Sequence, residues 1–348
     1  MRTYNYLSNE MPRELVGIYN DLNEDLLRLI VRKLKNGEQP QKVVAEIQDK
    51  IGEYSPKIQK VVAIIFADMK KKAVKDGKKD IEEKPVTNDE ANKIIEPRLL
   101  NAFLVVSVLN NRIANSVANE YVNDYFFVNA PSTRYSSKEG RLDTVYKRLA
   151  NEGLRIQDLE AKRPKAYTID QLVRRDVMFD LTEANGDIAM QNFENSDAQF
   201  IEVSSHPTAR TWNKYQKHDY EDHSSWQGQV YYSGEPVDGY EEFESTCGYG
   251  EMLGICGINC YHQFKANYTG TGTQTEYGIA EIRKDYALSQ EQRQYERQIK
   301  NMKQRKAVYE EAGKDVSSLR QKISMATDNL KNFCEKNNLK YFNWRTQI

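Results

Sequence analysis

Cysteine and histidine are scarce in this 348-residue chain, with four of each. Four cysteines over such a length exclude a disulfide framework and point to folding in a reducing compartment. A strong charge of either sign is also missing: 50 Lys and Arg stand against 51 Asp and Glu, a net charge of −1. No global field draws the protein to nucleic acid or to a membrane surface, so any such contact must be local. Apolar runs such as Phe103-Leu-Val-Val106 are far shorter than the ~20 residues of a membrane span. The opening MRTYNYLSNEMPREL has no apolar core flanked by basic residues, so no secretory signal is expected. No repeat at solenoid period is visible.

What is present is a soluble composition, 39% hydrophobic and 29% charged, long enough for two or three domains and a sizeable core. Leu15, Ile18, Leu22, Leu26, Leu29 and Leu34 paint one face of a helix over 12–35, started near Pro12 and stopped by Asn36-Gly37. A short helix is expected around Val43–Ile51. Ser55-Pro56 reads as the cap and first position of a third, and Pro97 as the start of a fourth that carries Leu100, Phe103, Val106, Leu109, Ile113 and Val117. Residues 80–96 read as a linker. Further on, Ser136-Ser137 caps a helix that stops at Gly153, and Thr168 starts another with Arg174-Arg175 exposed. Gln199–Val203 and Gln229–Tyr232 have strand character. Arg293, Arg297, Lys300, Lys303, Arg305 and Lys306 lie on one late helix. After Gly313, Asp315 caps a partner helix with Val316, Leu319, Ile323, Ala326, Leu330 and Phe333 along its seam, giving an antiparallel hairpin in which Cys334 is buried. The fold class is α+β: a helical N-terminal domain over 1–130, a small α+β module over 131–283, and a C-terminal helical hairpin over 284–348.

Two basic stretches are open to two readings. Lys70–Lys79 holds six lysines in ten residues, and Arg293–Lys306 is the basic helix face. Either is a solvated surface or a patch that contacts DNA phosphates, with Lys70, Lys71, Lys72, Arg293, Arg297 and Lys300 as the contacts.

The chain is organised around His206–Phe264. This stretch holds all four histidines and three of the four cysteines, and ten of the 18 glycines lie between Gly228 and Gly278. Rare, ligand-type residues in a glycine-rich island imply a fixed loop structure. Cys260 and His262 are two apart and in extended backbone point to one side. Cys256 precedes them across Gly257, and Cys247 or a histidine of 206–223 could complete a zinc-type shell, so Cys247, Cys256, Cys260 and His262 are candidate metal ligands and zinc the candidate cofactor. The spacing matches no standard zinc finger. The alternative is a hydrogen-bonded loop with small, buried, unligated thiols. A third use is redox or catalytic chemistry of the thiols. A separate nucleophile reading, with Asp222 beside His223 and Ser224 and Ser225 after it, is weak because sequence neighbours seldom form a triad.

The ordered series His206-Pro-Thr-Ala-Arg210, His223-Ser-Ser-Trp226-Gln227-Gly228, Cys247-Gly-Tyr-Gly250 and Cys256-Gly-Ile-Asn259-Cys260-Tyr-His262 resembles the phage minor capsid protein 2 family. It is distantly similar to the Mu F-like head morphogenesis proteins. The resemblance is strongest over 168–264. Two departures stand out: Thr211–Asp222 is an insertion, and Tyr261 occupies the place where the family tends to carry arginine. The resemblance implies a virion structural protein inside the capsid near the portal, present in host cytoplasm during assembly, serving head assembly and DNA packaging or release. It implies the portal and other capsid proteins as partners, with packaged DNA as a non-specific one, no membrane and no catalysis. His206, Arg210, His223, Trp226, Gln227, Gly228, Gly250 and Asn259 are then structural motif residues. The rival reading is a nuclease- or toxin-type enzyme built on the His206/His223 loop.

Overall fold

A computed structural model describes residues 11–80, 84–131, 137–158 and 165–348. Among the described residues the chain is mainly helical with two small antiparallel sheets, an α+β fold. In order come α1 (Met11–Asn36), α2 (Pro40–Asp80), α3 (Asn88–Asn129), α4 (Lys138–Glu152), β1 (Ile156–Asp158), β2 (Lys165–Tyr167) and α5 (Ile169–Leu172). A π-helical turn, Val173–Val177, joins α5 to α6 (Met178–Glu194). Then follow β3 (Phe200–Val203), α7 (His223–Trp226), β4 (Val230–Tyr232), α8 (Phe243–Cys247), β5 (Phe264–Asn267), α9 (Ile279–Glu311) and α10 (Ser317–Lys336).

Neither Pro56 nor Pro97 begins a helix; each lies inside one. Proline removes one backbone donor and leaves the carbonyl four residues earlier unpaired. Here those carbonyls belong to Gly52 and Lys93, both on exposed turns where water can serve them. Ser55 caps nothing: its hydroxyl accepts from Asn110 Nδ2 at 2.9 Å. The start of α3 is set instead by Thr87 and Glu90. Glu90 N–H donates to Thr87 Oγ1 at 3.3 Å, and Thr87 N–H donates to Glu90 Oε2 at 2.9 Å, a reciprocal capping box. The presumed linker is therefore helical from Asn88, and the lysine run is helical to Asp80. Ser137 and Gly153 bound α4 as expected. Arg174 and Arg175 are half-buried, and Arg175 pairs with Asp176.

By its contacts the chain forms two units, and α2, α3 and α9 each run from one into the other. One takes Arg13–Lys60, Val106–Val173 and Glu291–Ile348. Its core holds the buried stripe of α1 (Leu15, Leu22, Leu26, Leu29) and the hairpin seam, where Ile299, Leu330 and Cys334 pack with Tyr295, Met302 and Ile323. Polar ties add direction: Tyr19 OH donates to Asn110 Oδ1 at 3.3 Å, and Arg148 grips Asp124 at 2.6 Å as well as Glu120.

The other unit takes Val61–Val105 and Arg174–Gln290 and carries the island. Its three-stranded sheet has the order β4-β3-β5, with Ile201 opposite Tyr231 on one side and Ala266 on the other. The strand β5 is not among the strands read from the sequence. It is four residues long and exists through its pairing with β3, as β1 and β2 exist through pairing with each other. On one face of the sheet Ile201, Val203, Tyr231, Phe264 and Ala266 join Trp226, Phe243, Ile255 and the three island cysteines in a single core. Glu202 points the other way and is 1% exposed. Its carboxylate accepts from the Thr273 N–H and hydroxyl and from Gln274 N–H, with Lys265 Nζ at 3.4 Å. That single side chain fastens the glycine-rich 270–275 segment across the back of β3. The helix α6 is held by α3, where Arg98 forks to Glu183 and Asp187 at 2.6 and 2.8 Å and Asn101 donates to Asp180.

Candidate structural site at the cysteine–histidine island

The central strand delivers the first histidine. Past Val203 the pairing continues, with Ser204 N–H donating to Gln263 O at 2.7 Å and Gln263 N–H to Ser204 Oγ at 2.9 Å. This holds His206 beside His262, and their rings stack at 4.2 Å between centroids and 28°. The second delivery is α7. Asp222 caps it by accepting from Ser224 N–H at 3.1 Å, which places His223 in its first turn. Trp226 closes the same turn and is 1% exposed; its Nε1–H donates to Tyr220 O at 2.9 Å, and its ring meets His223 at 4.6 Å and His262 at 4.8 Å. The Thr211–Asp222 segment thus supplies the carbonyl that orients the buried tryptophan.

Gln227 fixes the protonation pattern. His206 N–H, a donor that cannot accept, points at Gln227 at 2.9 Å, so the amide oxygen faces it. The same oxygen lies 3.0 Å from His262 Nε2, which must therefore carry a proton. His223 Nε2 lies 2.9 Å from Leu253 O and must carry one too. Both imidazoles are neutral Nε2–H tautomers with the lone pair on Nδ1. His262 Nδ1 sits 3.6 Å from Cys260 Sγ. Ring or sulfur atoms of His223, Cys260 and His262 all lie within 4.8 Å of one another, a group that could hold a metal ion.

Burial dominates the electrostatics. It pushes His206 down to about 4 and takes His223 and His262 well below the ordinary imidazole range, with the Arg210 charge acting in the same direction on the latter two. Burial pushes the Cys260 thiol up to about 11 and Cys247 and Cys256 well above the usual range. Without a metal this is an interior of neutral rings and thiols. Arg210 staples the surrounding loop, donating to Leu253 O at 3.0 Å and to Ile258 O at 2.5 Å.

His206, Arg210, His223, Trp226, Gln227, Cys260 and His262 thus come together. Cys247 and Cys256 occupy the adjoining core. The Tyr231 hydroxyl beside Cys247 in that core donates to Trp226 O at 2.6 Å. Cys256 has φ +60, the left-handed region that costs a side-chain-bearing residue about 1 kcal/mol, and its sulfur is directed at α6, where a methyl on Gly186 would lie 2.9 Å away. Gly228 and Gly250 take φ +73 and +85 and Asn259 takes +56, the conformations their residue types tolerate best. The Asp222 carboxylate is occupied by Ser224 and the Ser225 hydroxyl donates to Asp222 O, so the serines serve the helix cap. Sequence reasoning missed Gly186 and the Leu253 carbonyl. A glycine inside a helical run was a readable sign of close approach for the first; nothing in the side-chain sequence signals the second.

Of the basic residues, Lys71 and Arg297 are exposed, whereas Lys70 donates to Asn92 at 2.7 Å and Lys300 pairs with Asp170 at 3.1 Å. Lys72 and Arg293 are half-buried. Among the described residues no helix is long and apolar enough to cross a membrane.

The family model for phage minor capsid protein 2 matches residues 5–335, nearly the whole chain. The protein belongs to the phage minor capsid protein 2 family. No curated protein and no solved structure matches it. Membership makes it a structural component of the phage capsid whose partners are other capsid proteins.

Proposed function

We propose that the protein acts at the portal of the phage head, as a non-catalytic part that helps head assembly and DNA packaging or release. The family match along nearly the whole chain carries this reading. The island supports it, because His206, His223 and His262 are 7% exposed or less and packed into the fold, which suits a fixed scaffold and offers no access to a substrate. Within that role the island is a structural centre, and zinc is the ion its thiol and imidazole donors favour. DNA contact falls to the exposed members of the two basic stretches, Lys71 and Arg297 first. Co-expression with the portal protein of the same phage followed by size-exclusion chromatography tests the assignment. A shared peak at micromolar concentration is expected; two folded proteins in separate peaks refute the portal role. Replacing Arg293, Arg297, Lys300, Lys303, Arg305 and Lys306 with glutamine is expected to remove much of the DNA affinity. Affinity that ignores both the replacement and a rise from roughly 50 to 200 mM salt refutes the DNA contact. Metal-dependent or metal-free cleavage of nucleic acid that is lost in His223→Ala would establish the enzyme reading instead.

A further inference from the structure

We propose that the island binds one zinc ion through His223 Nδ1, His262 Nδ1 and the Cys260 thiolate, with Cys247 and Cys256 outside the shell. The proposal rests on reading the island as a zinc-bearing structural centre and goes further by naming its donors.

Three independent features select these atoms. The first is spacing. Zinc bonds of about 2.3 Å to sulfur and about 2.0–2.1 Å to nitrogen, at a tetrahedral angle, put the two donors about 3.5 Å apart. Cys260 Sγ and His262 Nδ1 already stand 3.6 Å apart. The second is the surrounding shell. A metal-bound histidine usually donates its other N–H to a carbonyl or carboxylate, which fixes tautomer and ring orientation. His223 donates to Leu253 O and His262 to Gln227 Oε1, so both present Nδ1 lone pairs. Gln227 is itself oriented by the His206 N–H. The third is that the other thiols have different work. Cys256 turns its sulfur toward Gly186 through a left-handed backbone, and Cys247 is packed in the hydrophobic core outside the group within ligand range.

Binding replaces the Cys260 S–H bond with an S–Zn bond and releases that proton to solvent. His223, Cys260 and His262 are 1%, 1% and 2% exposed, so this ion braces the loop and does not meet a substrate. The nearby Arg210 charge opposes a cation, and the single thiolate offsets it; the guanidinium is in turn satisfied by the Leu253 and Ile258 carbonyls.

The test uses the full chain, purified without added metal or chelator and then dialysed against zinc. Elemental analysis is expected to give about one zinc per chain. X-ray absorption at the zinc edge is expected to show one sulfur at about 2.3 Å and the remaining ligands at about 2.0–2.1 Å. Cys260→Ser and His223→Gln are expected to lose the ion, whereas Cys247→Ser and Cys256→Ser keep it. The absorption spectrum of the unmodified chain decides the donor set even where a variant does not fold. Two or more sulfurs on the zinc overturns this donor set while leaving a zinc centre standing. Absence of zinc from folded protein after dialysis overturns both.

Discussion

Alanine at Gly254 should loosen the island without touching a histidine. A Cβ built there lies 1.9 Å from the Gly248 carbonyl oxygen, 2.6 Å from its carbon and 2.8 Å from Cys247 O. All three are backbone atoms, so no side chain can swing away. Ordinary contact begins at 3.4 Å, so one backbone must retreat by 3.4 − 1.9 = 1.5 Å. That movement breaks Ile255 N–H to Cys247 O, 2.8 Å, and Gly254 N–H to Glu251 O, 3.1 Å. It also shifts the Leu253 carbonyl that receives both His223 and Arg210. Overpacking costs about 1–3 kcal/mol and each lost hydrogen bond about 1 kcal/mol, so the substitution should cost about 3–5 kcal/mol. A unit of this size loses roughly 2–4 °C of melting temperature per kcal/mol, which predicts a fall of about 10 °C. The control is Gly17→Ala in α1, where nothing lies within 4 Å of the new methyl. It should stabilise by about 0.5–1 kcal/mol, the helical preference of alanine over glycine. Thermal melts followed by circular dichroism, backed by urea titration, compare the two. A Gly254→Ala protein melting within about 2 °C of the parent, a difference under about 1 kcal/mol, refutes the close backbone approach.

Three further outcomes follow from named contacts. Glu202 is pushed up by burial but pulled net below the ordinary carboxyl range by the Thr273 donors and Lys265; its stabilisation is therefore present above the unfolded value of 4.5 and lost as pH falls through the lower folded value. Glu202→Gln should cost about 2 kcal/mol at pH 7 and flatten the acid limb of a urea-midpoint profile; an unchanged profile contradicts the anchoring role. Gly186→Ala forces a methyl to 2.9 Å from Cys256 Sγ and should cost about 1–3 kcal/mol, with Cys256→Gly in the same chain restoring part of it; strict additivity in the double-mutant cycle would show that the two do not touch. Arg148→Ala strips the partner from Glu120 and Asp124, whose side chains are 12% and 10% exposed and whose carboxyls burial already raises. The loss should be about 3 kcal/mol at pH 7 and should shrink as pH falls toward their raised values, because protonation removes the unpaired charge; a loss that grows on acidification contradicts this.

Much of this protein was legible from its residues. The stripe of α1, the cap of α4 at Ser137, the strands at 200–203 and 230–232, and the hairpin with Cys334 inside it all follow from local periodicity and capping chemistry. So did the family, because an ordered series of His, Trp-Gln-Gly and Cys motifs survives in one dimension. That Cys260 and His262 share a side also follows from their i, i+2 spacing. Local sequence could not decide whether Pro56 and Pro97 interrupt a helix, since that depends on whether the carbonyls of Gly52 and Lys93 reach water. Nor could it find β5, whose four residues are a strand only because β3 lies alongside. The partner of the Cys260–His262 pair was likewise a tertiary decision. His223 stands 37 positions upstream of Cys260, further along the chain than Cys247 or Cys256, yet its ring is the one brought within ligand range. Spacing measures distance along the chain; convergence is set by the α7 cap at Asp222, the Leu253 carbonyl and the left-handed turn at Cys256, which only the folded backbone brings to one place.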